Sequence, residues 1–290
     1  MNVKITAVAT KPLADERHVV QVEVDSGLVG AAIVASSRVA QVKTLARDLL
    51  VGEDARAHVF LWERMAAVCD NKVLAEAAAA LDIALWDLKA RHAGEPLWRT
   101  LGGSDVVLPS HVSGRQLDVS AAELSEARIT GAEVEVELDP LGAQARLQAG
   151  FDALRRHVRA PLLMARCGTP CPLPQALGLI RQLERSFDLA WVAGFVSDDD
   201  PEGLRALSEG ISAAVAGGAG FYSIAQFLPA LRRRGFNVVE INPARLGFTG
   251  ALQVADAAFG LEIPVVVKAL PDGRHRDLAT ALVYCMSVEW

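Results

Sequence analysis

The sequence predicts a two-domain α/β protein, an α+β unit over residues 1–104 followed by a (β/α) barrel over residues 105–290. Three observations predict it. The first hundred residues read as strands and then helices. From Val106 onward the pattern becomes strand then helix, repeated seven times at roughly 25–30 residues per unit. The length of 290 residues is too great for one small domain and suits one barrel with a modest extra unit.

In the first unit, Val3, Ile5 and Val8 lead to a turn over Pro12–Arg17. His18-Val-Val-Gln-Val-Glu-Val-Asp25 then alternates with period two, as a half-buried strand does. Asp25-Ser-Gly-Leu-Val-Gly30 supplies a glycine turn and the start of a third strand. Helical patterns follow over Arg38–Leu50, Ala55–Cys69 and Lys72–His92. In the last, Val73, Ala77, Ala80, Leu81, Ala84, Leu85 and Leu88 recur at helical spacing, and Gly94 ends the run.

In the second unit the strand candidates are Leu108–Ser113, Glu133–Leu138, Pro161–Ala165, Ala190–Phe195, Ile211–Ala216, Asn237–Asn242 and Ile263–Ala269. An eighth falls near Met286–Trp290. Helical windows between them include Gln175–Ser186, Pro201–Leu207, Ile224–Arg233 and Thr249–Phe259. A doubly wound open sheet is disfavoured, because no G-x-G-x-x-G opens a strand-to-helix turn. Gly217-Gly-Ala-Gly220 lacks the Lys-Ser/Thr of a phosphate-binding loop.

Composition narrows the function. Hydrophobic residues make up 51% and charged residues 22%, which suits a globular core and not a disordered chain. A formal net charge of −6 argues against nucleic-acid binding, which needs a basic face. Arg232-Arg233-Arg234 reads as a solvated helix end that complements the helix dipole. No stretch reads as a membrane span or a signal peptide, so a cytoplasmic protein is expected. The four cysteines (Cys69, Cys167, Cys171, Cys285) are too sparse for a disulfide scaffold. Asp198-Asp-Asp-Pro201 reads as a helix N-cap with an acidic first turn rather than a cation site.

The segment Ala75-Glu-Ala-Ala-Ala-Ala-Leu-Asp-Ile-Ala-Leu-Trp-Asp-Leu-Lys-Ala-Arg-His-Ala-Gly-Glu-Pro-Leu-Trp-Arg-Thr-Leu-Gly-Gly103 resembles the helix and loop that join the two domains of the enolase superfamily. The likeness is to its mandelate racemase / muconate lactonizing branch. It continues through Asp25–Gly30, Trp191-Val-Ala-Gly-Phe-Val, Gly217–Ser223, Asn237-Val-Val-Glu-Ile-Asn-Pro and Pro264-Val-Val-Val-Lys268. It implies a TIM-type barrel under an α+β capping domain. It also implies proton abstraction α to a carboxylate, with the enediolate held by Mg²⁺ on three strand-end carboxylates.

Those three ligand positions are here Arg166, Ala193 and Ala219. Arginine cannot ligate Mg²⁺ and repels it. The expectation is therefore no cofactor, with Mg²⁺ not bound. The family's strand-two lysines are also missing. An ungapped register puts Val136 and Leu138 at their positions. A one-residue shift instead faces the valines outward and places Glu135 and Glu137 in the barrel mouth, which avoids burying carboxylates against the helix layer. Asn242 stands where racemase-type members carry Asp, and Lys268 where they carry His. The turn Pro12–Arg17 is shorter than the family's lid, and the family's C-terminal return segment is missing after Trp290.

Glu135, Glu137, Lys268 and Asn242 are accordingly the catalytic candidates and Arg166 the substrate-binding candidate. They read either as mutual charge compensation or as a remodelled site, with Arg166 and Lys268 holding an anion and Glu135 or Glu137 acting as base. His111 and His275 are the histidines best placed to line a pocket. Three functions follow. The first is a catalytically degenerate member acting through binding. The second is a metal-independent isomerase or lyase on a small carboxylate. The third is an ordinary Mg²⁺-dependent member, for which Asp139, Asp198 and Glu240 are the nearby acids. The expected partners are a small anionic ligand and, from the resemblance, a second copy or an active relative. No nucleic acid or membrane is expected.

Overall fold

The computed structural model describes residues 3–114 and 127–290. The capping domain opens with an antiparallel sheet of β1 (Ile5–Pro12), β2 (Arg17–Val24) and β3 (Val29–Ala35), in that order. Helices α1 (Val39–Leu45), α2 (His58–Ala67) and α3 (Lys72–Ala93) follow, then the short α4 (Leu97–Thr100). The Asn71 side chain caps α3 by accepting from the amides of Val73 and Leu74, and Gly94 ends it at φ 68°. The helix lies against β3 at Gly30, where a Cβ would stand 2.1 Å from the Ala84 carbonyl oxygen. Only glycine permits that approach.

The second domain is a closed barrel of eight parallel strands. These are β4 (Ser110–Gly114), β5 (Ile129–Val136), β6 (Leu162–Cys167), β7 (Leu189–Ala193), β8 (Ala214–Gly217), β9 (Val238–Ile241), β10 (Val265–Val267) and β11 (Cys285–Glu289). Helices α5 (Pro140–Arg155), α6 (Leu173–Leu183), α7 (Pro201–Gly210), α8 (Ile224–Arg233), α9 (Pro243–Phe259) and α10 (His275–Ala281) lie outside it. The barrel floor is a small apolar cluster of Met164, Trp191, Ala193, Ala216, Val238 and Val266. A larger core fills the space between strands and helices and runs on into the capping domain. No helix among the described residues is long and apolar enough to cross a membrane.

The largest differences from the sequence reading fall at two elements. β5 begins at Ile129, ahead of the expected Glu133. The helix expected from Thr249 begins at Pro243, with the Asn242 side chain accepting from the Ala244 amide. Gly247 (φ 61°, ψ −173°) kinks α9 and interrupts its periodicity.

Gly247 also makes the joint between the domains. A Cβ there would lie 2.6 Å from Asp82 Oδ2. The kink lets Asp82 of α3, fully buried, accept from the Phe248 amide at 2.7 Å, the Thr249 amide at 2.9 Å and Thr249 Oγ1 at 2.6 Å. Trp86 Nε1 donates to Thr249 Oγ1 at 2.9 Å. One turn along α3, Asp87 accepts from the Ala31 amide and from Arg91 Nε.

Candidate functional site

Side chains alternate across a strand, so the odd positions of β5 share one face. Glu133 enters the barrel, while Val134 and Val136 face the helix layer. The barrel thus carries a carboxylate on β5, a guanidinium on β6 (Arg166), a second carboxylate on β9 (Glu240) and an ammonium just past β10 (Lys268). A third carboxylate ends β11 (Glu289). Glu133 and Glu240 are each 1% exposed.

Arg166 grips Glu133 with both ends of its fork, Nε to Oε1 at 2.7 Å and Nη2 to Oε2 at 3.0 Å. The same Nη2 donates to Glu240 Oε1. Lys268 Nζ lies 3.2 Å from Glu133 Oε1, 3.2 Å from Glu289 Oε1 and 3.8 Å from Glu240 Oε1. Trp191 Nε1 donates to Glu133 Oε2 from the barrel floor at 3.1 Å. Glu289 also accepts from Ser113 Oγ and from the Ala269 amide. His111 of β4 is buried, with Nδ1 bonded to Ser287 Oγ at 2.8 Å; its Nε2 has no partner among the described residues.

Three carboxylates thus share two cations, and their environments separate them. Burial pushes Glu133 up, but Lys268 and Arg166 override it and hold the carboxyl far below its ordinary range. For Glu240, burial is the largest influence. With the nearby Glu133 charge it pushes the carboxyl up to about 7, against the pull of Arg166 and Lys268. The pair behaves as a dyad in which one member stays ionised and the other titrates near neutrality. Burial lowers Arg166 and Lys268, yet their carboxylate partners leave both raised. Burial lowers His111 to about 4.

The sequence candidates divide. Arg166 and Lys268 meet in the barrel. Glu135 lies on the same face of β5 as Glu133, half-buried near the Gly168 loop. Glu137 is a correction. β5 ends at Val136, so the alternation no longer applies, and Glu137 is exposed and paired with Arg146 at 3.1 Å. Asn242 caps α9 and donates to the Ala219 carbonyl. Asp139 caps α5 and Asp200 caps α7. Asp198 accepts from the Gly218 amide. His275 accepts at Nδ1 from the Leu270 amide and bonds the Glu289 carbonyl through Nε2. Sequence reasoning missed Glu133 and Glu289. The signal for Glu133 was its parity with Glu135.

Alanine at 193 and 219 offers no side-chain oxygen. Glu133, Glu135, Glu240, Glu289 and Asp198 are the carboxylates near the mouth, and Glu133, Glu240 and Glu289 are turned toward Arg166 and Lys268. As arranged these three converge on the cations and do not form a magnesium ligand set, and among the described residues no group of three acids, histidines or cysteines is placed to hold a metal ion.

A barrel closed by eight parallel strands, capped by an α+β domain and charged at its strand ends, defines a class of barrel enzymes and their relatives. Residues 2–102 match the mandelate racemase / muconate lactonizing enzyme N-terminal domain, and residues 120–289 match the enolase C-terminal domain-like family. The chain belongs to the enolase superfamily, in its mandelate racemase / muconate lactonizing enzyme branch. It is 27% identical over 212 residues to the 3,6-anhydro-alpha-L-galactonate cycloisomerase of Streptomyces coelicolor, covering 69% of this chain and 58% of that enzyme. The chain thus spans less than two thirds of that relative's length. A racemase from Streptomyces coelicolor solved with bound magnesium superposes with TM-score 0.83 at 24% identity, covering 99% of this chain and 91% of the other. L-Talarate dehydratase from Polaromonas sp. JS666, solved with Mg and L-glucarate, superposes with TM-score 0.80 at 25% identity, covering 99% and 86%. These structures overturn the expectation of a chain without a cofactor. Solved relatives hold magnesium, and the acids named above are the oxygen donors that such an ion would meet here.

Proposed function

We propose that this chain binds a small organic anion between its cap and its barrel, and that an ion-pair cluster has replaced the family's proton-abstracting side chains. The observation that carries this reading is the double engagement of Arg166, which holds Glu133 through both ends of its fork and reaches Glu240 as well. A base must be free to take a proton from carbon. Glu133 is committed to two cations and held ionised far below the range of a useful base. Asn242, at the position of the family's Asp, takes no proton.

The binding half of the reading rests on a cleft of about 220 Å³ between the capping domain, the first turn of α9 and the loop after β10. Its walls include Ile33, Ile83 and Leu270, and its rim includes Arg17 and Arg38. Arg38 is paired with Glu76 at 2.6 Å. Arg17 Nε is buried with no partner among the described residues. An apolar wall beside an unsatisfied guanidinium N–H suits a small carboxylate with a partly apolar body. Mandelate, which one solved neighbour holds, has such a body and heads the panel, with galactonate-type and mannonate-type acids from the relatives' names as its polyhydroxy comparison.

The test is proton NMR of such acids with the protein in D₂O, with and without added Mg²⁺ or Mn²⁺, beside calorimetric titration of the same acids. Expected is saturable binding that Arg17→Ala weakens, with no exchange of the α-proton and no product under either metal condition. Exchange or product would overturn the loss of catalysis, and binding indifferent to Arg17→Ala would overturn the cleft.

A second reading is favoured by Glu240. A buried carboxyl pushed up to about 7, beside a cationic Lys268, is an acid–base pair suited to a metal-independent isomerase or lyase acting on a small carboxylate. It predicts turnover with a bell-shaped pH profile that Glu240→Gln abolishes.

A further inference from the structure

A second cavity lies in the capping domain, away from the barrel mouth. It has a volume of about 330 Å³ and sits between the start of the chain, the loop before α2 and the last two turns of α3. Val3, Ala55 and Leu88 form an apolar floor, and Arg56, Lys89 and His92 stand at the rim. The rim is unbalanced. Arg56 is already taken by Asp54, with Nη2 to Oδ2 at 2.6 Å. Lys89 faces no carboxylate among the described residues. Its ammonium, on an exposed side chain, sits 4.3 Å from the centre of the Trp86 ring, a contact that supplies no full counter-charge.

The wall contains a second anomaly. His58 is 7% exposed. Both its ring nitrogens point at carbonyl oxygens, Nδ1 at Arg56 O (3.0 Å) and Nε2 at Leu85 O (3.1 Å). A neutral imidazole has one N–H, so one of these contacts sets a lone pair against a carbonyl oxygen. Only the imidazolium donates to both. Yet burial disfavours the charged ring, and Lys89 adds a smaller push in the same direction. The charged groups facing the ring are Lys89 on α3 and, from the loop before α2, Asp54 together with Arg56. Asp54 favours the proton, but its charge is shared with Arg56.

We propose that this cavity binds a small carboxylate with an apolar body, its anionic end on Lys89 and its body on the Val3–Leu88 floor, and that binding places a proton on His58. A carboxylate at Lys89 offsets the ammonium's smaller share of that push and adds a negative charge beside the ring. The second N–H then satisfies the waiting carbonyl. Anion binding and proton uptake reinforce each other, as linkage requires. The site is separate from the cap–barrel cleft and uses none of its residues.

The experiment is isothermal titration of the full chain with benzoate near pH 7, in phosphate and in Tris, whose ionisation enthalpies differ. Expected is one saturable site whose apparent enthalpy differs between the buffers in the sense of proton uptake. Benzyl alcohol, the neutral analogue, should not bind. Lys89→Gln should weaken benzoate at least about tenfold, whereas Arg17→Ala should leave it unchanged. His58→Gln should keep the binding and lose the buffer dependence. Because that variant may misfold, ¹⁵N NMR of His58 in the unmodified protein is the parallel readout, and both ring nitrogens should reach protonated shifts on saturation. Absence of saturable binding, equal affinity in Lys89→Gln, or binding with unchanged His58 nitrogens would each overturn the proposal.

Discussion

The joint between the domains and the barrel interior each bury a carboxylate, and they hold it by opposite means. At the joint, Asp82 has no cation within hydrogen-bonding range among the described residues and is satisfied by two backbone amides and the Thr249 hydroxyl. In the barrel, Glu133 is gripped by Arg166 and Lys268. Burial pushes Asp82 up to about 6, because neutral donors do not offset its desolvation. Two full charges do offset it at Glu133, which is driven the other way. The joint is thus a polar peg in an apolar seam. The barrel cluster is a set of mutually dependent charges, so removing one member exposes the rest.

The sharpest way to break the comparison is Arg166→Ala. It would leave Glu133 and Glu240 facing each other with Lys268 as their only shared cation. An uncompensated buried charge costs about 3–5 kcal/mol, and that loss is expected in urea unfolding at pH 7. It should shrink as pH falls below about 7, because Glu240 then takes a proton. A loss under about 1 kcal/mol would mean that the cluster is solvated and each charge stands alone.

The joint was far more legible in the sequence than the cluster, for a physical reason. Local chemistry fixes the joint. Small alanines at helical spacing, Trp86 and the Gly94 stop sit within one continuous segment. Even there the reading saw a helix that joins two domains and missed that Asp82 and Asp87 are hydrogen-bond anchors, because their partners at Thr249 and Ala31 are distant in the chain. The cluster draws single residues from five strand ends. Arg166 and Lys268 could be placed, since each departs from a family motif. Glu133, Glu240 and Glu289 depend on strand parity and on where each strand stops. β5 starts at Ile129 and stops at Val136, which brings Glu133 in and leaves Glu137 outside. A pattern of alternating Glu and Val cannot locate that stop.

The next test is at the joint. Asp82 has a folded pKa above its ordinary value of 3.8. Its protonated form therefore favours the folded state. The contribution is full below about pH 3.8 and is lost as pH rises through about 6. Glu133 runs the other way, contributing above its ordinary value of 4.5 and losing its effect as pH falls. Asp82→Asn removes the first of these dependences. The difference in unfolding free energy between the variant and the parent should shift by about 2–3 kcal/mol in the variant's favour between pH 4 and pH 7. Asp82→Ala should lower stability at both pH values, since two buried amides lose their acceptor. A difference that stays flat with pH would place Asp82 ionised throughout and erase the contrast with Glu133.

The smallest expected effect links the cluster to the loop that shapes the cap–barrel cleft. His275 accepts from the Leu270 amide at Nδ1, so the neutral ring must carry its proton on Nε2, which donates to the Glu289 carbonyl at 2.9 Å. Residue 289 in turn holds the Ala269 amide and Lys268. One neutral imidazole thus ties the segment after β10 to the end of β11 and positions two members of the cluster. Burial lowers the His275 pKa, so the unfolded chain takes up this proton first. The stability His275 contributes is present above about pH 6.5 and is lost as pH falls toward its lower folded value. ¹⁵N NMR should find the Nε2–H tautomer alone at neutral pH. His275→Ala should lower stability by about 1–2 kcal/mol, the effect of stranding one amide and one carbonyl. His275→Asn can restore one of the two bonds and should recover part of the loss. An Nδ1–H tautomer at neutral pH would remove the tie and leave Lys268 and Glu289 to be positioned by their ion pairs alone.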